Sequence, residues 1–184
     1  DYVGMIMSPG FKRSVDIDTA RSLKAALDPD IPMTGVYVNE PIENITAAVS
    51  EGLIDMIQLH GKEDNGCIRE LRAQNPGIPV IKAFKLETHA DIRQVIVSEA
   101  DFVLLDSGTG TGKVFDWSLL QLIPERMHDR CFLAGGLNYL NVEEAIENFM
   151  PFAVDTSSGI ETDGVKHRGK IRDFVNTVRK ASKI

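Results

Sequence analysis

Seven short apolar segments recur along this chain, each followed by a polar loop and by a stretch with apolar residues at helical spacing. The apolar segments have the length of buried β-strands, and each intervening stretch is long enough for one α-helix. Strict alternation of this kind requires a parallel sheet, because each helix returns the chain to the edge where the previous strand began. The predicted strands end at intervals of 21 to 31 residues, near Met7, Val38, Leu59, Ala83, Leu105, Ala134 and Asp155.

Seven β/α units predict an α/β protein, namely a TIM (β/α)8 barrel with seven of its eight units in this chain. Such barrels need about 200 residues or more, and one further unit of average length would bring these 184 residues to that size. We therefore expect residues 1–184 to form a single barrel domain from which the first strand and the first helix are missing. An open doubly wound sheet is the alternative, although the dinucleotide fingerprint usual in such sheets is absent.

The composition limits the classes of partner. No apolar run approaches the ~20 residues of a membrane span, and no charged leader precedes an apolar segment, so we expect a soluble, cytoplasmic protein that binds no membrane. A net charge of −7 without a basic stripe argues against nucleic acid as a partner. Cys67 and Cys131 lie far apart and without clustered histidines, which predicts neither a disulfide framework nor a zinc site. The composition favours no particular oligomeric state.

The apolar run that begins at Phe102 stops abruptly at Asp106, which a glycine-rich segment follows. This segment is not a Walker A loop, since Val114 follows Lys113, and it lacks the third glycine of a dinucleotide fingerprint. It is either an ordinary surface loop or a loop that covers a ligand. Asp106 lies where barrel enzymes keep catalytic groups, at the carboxyl end of a strand, unless it only caps a helix or anchors the loop.

Side-chain alternation along the predicted strands indicates which of the remaining polar residues face the interior of the barrel. It places Gln58 and His60 on the inner face of their strand and turns Asp155 inward as well. A structural histidine and a loop anchor are the alternatives for His60 and Asp155. Lys82, also inward, is expected to form an interior ion pair rather than a Schiff base. Arg13 is either solvated or a ligand for a carboxylate or phosphate.

Two glycine-containing loops follow the last two predicted strands. The first contains Gly135 and Gly136, and the second contains Ser157, Ser158 and Gly159. In barrels these loops commonly bind phosphate through backbone N–H groups. The sequence therefore predicts a phosphorylated small molecule as the ligand.

Eight motifs follow one another along the chain. They are Asp1-Tyr-Val-Gly, Ser8-Pro-x-x-Lys-Arg13, Gly35-Val-Tyr-Val-Asn39, Gln58-Leu-His-Gly61, Leu104-Leu-Asp106, Gly110-Thr-Gly-Lys-x-Phe-Asp-Trp117, Leu133-Ala-Gly-Gly-Leu137-Asn and Phe152-Ala-Val-Asp-x-Ser-Ser-Gly-Ile-Glu161. In this order they are highly specific, and the chain resembles the phosphoribosylanthranilate isomerase family of tryptophan biosynthesis over its whole length.

The resemblance implies an Amadori rearrangement of N-(5-phosphoribosyl)anthranilate to 1-(2-carboxyphenylamino)-1-deoxyribulose 5-phosphate, without metal or cofactor. A general acid protonates the ribose ring oxygen as the ring opens, and a general base removes a proton from C2′. Asp106 matches the acid, which implies a pKa raised by partial burial above the ~3.9 of a free aspartate. Arg13 matches the residue that binds the anthranilate carboxylate, and His60 and Asp155 match the pocket rim. The residues that match the phosphate loops are Gly135, Gly136, Ser157, Ser158 and Gly159.

The general base is the main departure from the family. There it is a cysteine in a Lys-x-Cys-Gly sequence on the first strand, which this sequence does not contain. Cys131 begins its strand, about 10 Å from the carboxyl edge at ~3.3 Å per residue, and Cys67 lies on a predicted outer helix. Phe11 and the segment 165–167 also differ from the family pattern.

Three interpretations follow. The first is an isomerase whose first β/α unit is missing from this sequence. The second is an inactive phosphate-binding barrel fragment that lacks the base. The third is another phosphate-binding barrel such as indole-glycerol-phosphate synthase, against which the motifs ending at Gly61 and Trp117 argue.

Overall fold

Strands and helices alternate along the chain as predicted from the sequence. The computed structural model describes residues 1–106 and 117–182. The strands are β1 (Val3–Ile6), β2 (Met33–Tyr37), β3 (Met56–Leu59), β4 (Val80–Lys85), β5 (Phe102–Asp106), β6 (Cys131–Ala134), β7 (Ala153–Val154), β8 (Glu161–Thr162) and β9 (Val165–Lys166). The α-helices are α1 (Ile17–Ala26), α2 (Ile42–Ser50), α3 (Asn65–Gln74), α4 (His89–Ile96), α5 (Trp117–Leu120), α6 (Val142–Phe149) and α7 (Arg168–Ala181). The predicted α/β class is confirmed.

The chain divides into two compact modules. The first module comprises Asp1–Ala83 with Ser98–Phe102, and the second comprises Phe84–Val97 with Val103–Ile184. Each module has an apolar cluster of its own.

In the first module, β1 to β4 pair in parallel and in chain order. Ile57 and Leu59 of β3 pack with residues of the surrounding helices, including Ile45 and Leu71. Met56 shares the opposite face of the strand with Gln58; it is buried and apolar, yet it does not belong to that apolar cluster. The predicted alternation along β3 is therefore confirmed.

In the second module, β5, β6 and β7 pair in parallel. Val103 and Leu105 of β5 pack in the apolar cluster with Phe174 of α7. The register aligns Asp106 with Ala134, the residue before the first glycine loop. The carboxyl ends of these strands thus bring the predicted site residues of this module to one edge.

The sequence predicts that the side chains of Asp16 and Asn141 cap the helices that begin after them. Asp16 caps α1 as expected, because its carboxylate accepts the N–H of Thr19 at 2.8 Å. Asn141 occupies the cap position of α6, but the prediction that its side chain caps the helix is wrong. Its Oδ1 accepts the N–H of Asn138 at 2.8 Å, and its Nδ2 donates to the carbonyl of Gly136 at 3.2 Å. The side chain therefore forms its hydrogen bonds with the turn before the helix and does not cap the helix.

The strands β8 and β9 form a short antiparallel hairpin that the sequence analysis missed. Asp163 and Gly164 connect them with φ values of 53° and 79°. A two-residue turn with positive φ at both positions matches the twist of a hairpin, and Asp-Gly is a preferred sequence for it. The register places Glu161 opposite Lys166.

The longest helix in the described part of the chain is α7, with 14 residues. It packs against α6 within the second module. None of the helices within residues 1–106 and 117–182 has the length and apolar character needed to cross a bilayer.

Candidate active site

Asp106 lies at the carboxyl end of β5, as predicted, and is half-buried. Its backbone carbonyl accepts the N–H of Leu86 at 3.0 Å, which connects the end of β5 to the residue after β4. The pKa of Lys85 is raised mainly by its hydrogen bond to Glu87 and by that carboxylate's charge, with a smaller contribution from the charge of Asp106. The glycine-rich segment that follows Asp106 lies outside the described residues.

The loops after β6 and β7 meet in the second module, as the phosphate-site prediction requires. Gly135 and Gly136 have φ values of 99° and 68°, which glycine adopts without the strain that other residues incur. In the next loop, Thr156 Oγ1 donates to the carbonyl oxygen of Leu137 at 2.6 Å. Gly159 approaches the same carbonyl so closely that a Cβ atom there would overlap it. The two loops therefore form one continuous surface, and the contact depends on a glycine at position 159.

Asp155, Ser157 and Ser158 are exposed on the second of these loops. The N–H of Asp155 donates to the carbonyl of Leu133 at 2.8 Å, which extends the pairing of β6 and β7 by one residue. Lys166 Nζ donates to the backbone oxygen of Ser157 at 2.8 Å and to its Oγ at 3.2 Å. Sequence reasoning had not assigned Lys166 to the site, although the Asp-Gly turn could have predicted the hairpin that carries it.

In the first module, His60 follows β3 and its side chain is exposed. Gln58 Nε2 lies 3.2 Å from His60 Nδ1. When the amide donates to Nδ1, the proton of the neutral imidazole must be on Nε2. In that tautomer His60 offers a hydrogen-bond donor to a ligand.

The interior ion pair predicted for Lys82 is confirmed, with Glu63 as its partner. Lys82 Nζ lies 3.0 Å from Glu63 Oε2, and the two side chains are only 6% and 5% exposed. The same ammonium donates to the carbonyls of Leu59 at 3.4 Å and Gly61 at 2.7 Å, the residues on either side of His60. The pair therefore holds the backbone that carries the histidine.

Glu63 also links the loops after β2 and β3. Its carboxylate accepts the N–H of Asn39 at 2.6 Å and the N–H of Gly61 at 2.9 Å. Burial by itself would raise the pKa of Glu63, but the N–H donors and the Lys82 ammonium together outweigh burial and hold that pKa below its ordinary value. Glu63 is thus a carboxylate at neutral pH. The sequence analysis had identified the lysine of this pair but not the acid.

Arg13 lies in the loop after β1 and is exposed. Ser14 Oγ accepts the N–H of Phe11 at 3.1 Å and donates to the carbonyl of Ser8 at 2.6 Å. Ser8 Oγ in turn accepts the N–H of Val38 at 2.9 Å. The loop that carries Arg13 is therefore folded back on itself and attached to the end of β2.

Neither cysteine of the chain has the properties of a catalytic base. Cys131 is the first residue of β6 and fully buried, and burial raises the pKa of its thiol to about 12. Cys67 lies in α3, and burial raises the pKa of its thiol as well. Both thiols are protonated at neutral pH. Within the part of the chain that the structure describes, no cluster of His, Cys, Asp or Glu is arranged to hold a metal ion.

The contact between the glycine loops leads to a first prediction. We expect Gly159→Ala to weaken the binding of inorganic phosphate more than tenfold, because its methyl group overlaps the Leu137 carbonyl and forces the loops apart. Titration calorimetry with phosphate measures the effect. Gly4→Ala is the matched control, since a Cβ at Gly4 meets only a Val36 methyl group at an ordinary 3.7 Å. Unchanged phosphate affinity in Gly159→Ala would contradict the assignment of these loops.

Comparison with known proteins gives a consistent result. The sequence profile of the N-(5'-phosphoribosyl)anthranilate (PRA) isomerase family matches residues 1–177. The N-(5'-phosphoribosyl)anthranilate isomerase of Endomicrobium trichonymphae is 39% identical over 184 residues, covering 97% of this chain and 88% of that protein. The enzyme of the same name from Bacillus cereus strain G9842 is 36% identical over 188 residues, covering 100% of this chain and 89% of the relative.

Solved structures agree with the sequence matches. The phosphoribosyl anthranilate isomerase of Thermotoga maritima superposes with a TM-score of 0.84 and 34% identity, covering 100% of this chain and 89% of that one. A phosphoribosyl anthranilate isomerase in complex with reduced 1-(o-carboxyphenylamino)-1-deoxyribulose 5-phosphate superposes with a TM-score of 0.82 and 34% identity, covering 100% and 88%.

Proposed function

The chain belongs to the N-(5'-phosphoribosyl)anthranilate isomerase family, and from that premise we propose which of its residues carry out the isomerisation. The reaction is the Amadori rearrangement of N-(5'-phosphoribosyl)anthranilate to 1-(2-carboxyphenylamino)-1-deoxyribulose 5-phosphate in tryptophan biosynthesis. Its substrate is a phosphorylated small molecule with one carboxylate, so the site needs an acid, a base and two anion-binding regions.

Asp106 is the general acid in this proposal. The observation that carries it is the register of β5 and β6, which aligns Asp106 with Ala134, directly before the glycine loop. An acid placed there is within one substrate length of a phosphate bound to the loops after β6 and β7. The carboxyl group gives its proton to the ribose ring oxygen while the C1′–O bond breaks, and a Schiff-base cation forms. A base then takes the C2′ proton, and the electron pair of the C–H bond neutralises the cation.

The phosphate binds, in this proposal, to the surface made by Gly135, Gly136, Ser157, Ser158 and Gly159. Its support is the contact of the two loops at Leu137, through Thr156 and Gly159. Backbone N–H groups and serine hydroxyls are donors suited to a phosphate dianion. Asp155 borders the loop, and as an acid it helps to orient the ribose hydroxyls rather than the phosphate.

Arg13 and His60 bind the rest of the substrate. A planar guanidinium matches the anthranilate carboxylate with two parallel hydrogen bonds. In the tautomer in which Nδ1 accepts from Gln58, His60 has its N–H at Nε2.

The role of Arg13 leads to a second prediction. We expect Arg13→Met to raise KM for the substrate by roughly 10- to 100-fold, the equivalent of about 1.5–3 kcal/mol for hydrogen bonds to a charged group. Steady-state kinetics on N-(5'-phosphoribosyl)anthranilate measures the change. Lys12→Met is the matched control, because it removes a positive charge from the adjacent exposed residue. Equal effects of the two substitutions would mean that Arg13 contributes only its positive charge and makes no specific contact with the carboxylate.

The base in this proposal is a cysteine outside the sequence given. Cys131 and Cys67 do not qualify, because both thiols have raised pKa values and neither lies at the carboxyl end of a strand. We accordingly propose that the seven β/α units belong to one (β/α)8 barrel domain whose remaining unit supplies the base.

The test is turnover of N-(5'-phosphoribosyl)anthranilate by the purified natural protein, together with its intact mass. Turnover by a protein larger than this sequence, abolished by an alkylating reagent specific for thiols, would support the proposal. Turnover by a protein with only the mass of this sequence would contradict the external cysteine and require another base.

A further inference from the structure

The hairpin formed by β8 and β9 places a lysine opposite a glutamate. The Asp163-Gly164 turn sets the register of the hairpin, so that Glu161 and Lys166 are direct cross-strand partners. Opposite charges in such a pair attract each other across the strands. Here Lys166 Nζ lies 3.0 Å from Glu161 Oε1. The position of the ammonium is therefore a consequence of the local sequence.

The same ammonium reaches past the hairpin to Ser157. It donates to the backbone oxygen of Ser157 at 2.8 Å and to its Oγ at 3.2 Å. The two Ser157 oxygens accept hydrogen bonds from the ammonium, whereas Glu161 Oε1 lies within ion-pair distance of it without accepting one. The Glu161 side chain is 7% exposed, whereas the Lys166 side chain is 44% exposed. A buried carboxylate thus holds a cation that remains accessible from solvent beside the loop.

A second lysine attaches the hairpin to α7 in a different way. Lys170 Nζ donates to the backbone carbonyl of Glu161 at 2.6 Å. The N–H of Lys170 is accepted by His167 Nδ1 at 3.3 Å, at the start of the helix. Lys170 therefore supports the hairpin without touching Ser157. Lys166 contacts Ser157 and the Glu161 carboxylate, whereas Lys170 contacts the Glu161 backbone, which allows an experiment to distinguish a supporting role from a role in binding.

The geometry points to Lys166 as a positioning residue for the substrate's phosphate group. It fixes the backbone and the hydroxyl of Ser157 at the same time, so that the hydroxyl hydrogen is free to donate away from the ammonium. It also places a positive charge beside the loop of a protein whose net charge is −7. A dianion approaching an acidic protein gains most from a local cation. This inference rests on the proposed phosphate site and adds to it a residue outside the two glycine loops.

The experiment compares the binding of inorganic phosphate, by calorimetry, and KM for N-(5'-phosphoribosyl)anthranilate in single variants of the natural protein. We expect Lys166→Met to raise both the Kd for phosphate and KM about tenfold, with kcat within twofold and a weaker dependence of KM on ionic strength. Lys166→Arg should restore both constants to within about threefold. Lys180→Met controls for net charge, because Lys180 lies at the far end of α7 and its side chain is 80% exposed.

Two further variants separate support of the fold from binding. Lys166→Met removes the ion pair and keeps the charge of Glu161, so Glu161→Gln combined with Lys166→Met removes both charges of the pair and should show the same loss of phosphate affinity. Lys170→Met should lower Tm and leave the ionic-strength dependence of KM unchanged. An unchanged Kd for phosphate in Lys166→Met would overturn the inference. Equal effects of Lys166→Met and Lys170→Met on Tm and KM would also overturn it. In either case, turnover by the wild type would leave the proposed function intact. Absence of wild-type turnover and phosphate binding would overturn both.

Discussion

Asp106→Asn is expected to lower kcat/KM for N-(5'-phosphoribosyl)anthranilate by about 10²- to 10⁴-fold, the usual contribution of a general acid. The amide has the size of the carboxyl group but has no proton acidic enough to give to the ribose oxygen. Because Asp106 is half-buried at a strand end and its backbone carbonyl keeps its bond to Leu86, the fold should remain intact. Steady-state kinetics and a thermal melt of the same preparation measure the two quantities.

The pH profile of kcat/KM tests the role of Asp106 as the general acid more directly than the loss of rate does. In the wild type, kcat/KM should have an alkaline limb, because only the protonated carboxyl group can give a proton to the ring oxygen. In Asp106→Asn this limb should disappear from the residual activity. Asp129→Asn is the matched control, since Asp129 is exposed just before the amino end of β6. Undiminished turnover in Asp106→Asn would remove this residue from the mechanism.

The order of the strands and their ends could be predicted because they depend on local patterns. The apolar run that ends at Asp106 has the length of a buried strand, and the polar residue marks the end of that strand. Alternation along β3 correctly placed Gln58 and His60 on the same face, where Gln58 Nε2 lies 3.2 Å from His60 Nδ1. The interior ion pair of Lys82 followed from the same alternation, because a lysine on a buried face requires a partner.

Contacts between distant loops could not be predicted in this way. Asn141 fits a helix cap by sequence, yet its side chain binds the preceding turn, a competition that residue type alone does not decide. Glu63 lies in a loop, and nothing in its neighbourhood indicates that it meets a lysine 19 positions later. The approach of Gly159 to Leu137 likewise depends on the spacing of β6 and β7 rather than on either loop.

The ion pair of Lys82 and Glu63 carries the largest expected effect on stability. Lys82→Met should lower the free energy of unfolding by about 3–5 kcal/mol, because it leaves a charged carboxylate almost completely buried. Combining it with Glu63→Gln removes the buried charge and should recover part of that loss. Chemical denaturation at pH 7 measures all three proteins. Arg69→Met, which breaks an exposed pair with Glu99, should cost less than about 1 kcal/mol.

The dependence of this effect on pH has a defined sign. In the wild type the pKa of Glu63 is held below its ordinary value of 4.5, so the pair's contribution is fully present above that pH and is lost as pH falls through the lowered pKa. In Lys82→Met the N–H donors remain but the ammonium is gone, so the pKa of Glu63 rises above its wild-type value. Between the two pKa values only the variant binds a proton, so the difference in stability should shrink as pH falls from the higher of these pKa values to the lower. A constant difference over that range would mean that the lost energy comes from the packing of the lysine chain and from the carbonyls of Leu59 and Gly61, with no contribution from the charge on Glu63.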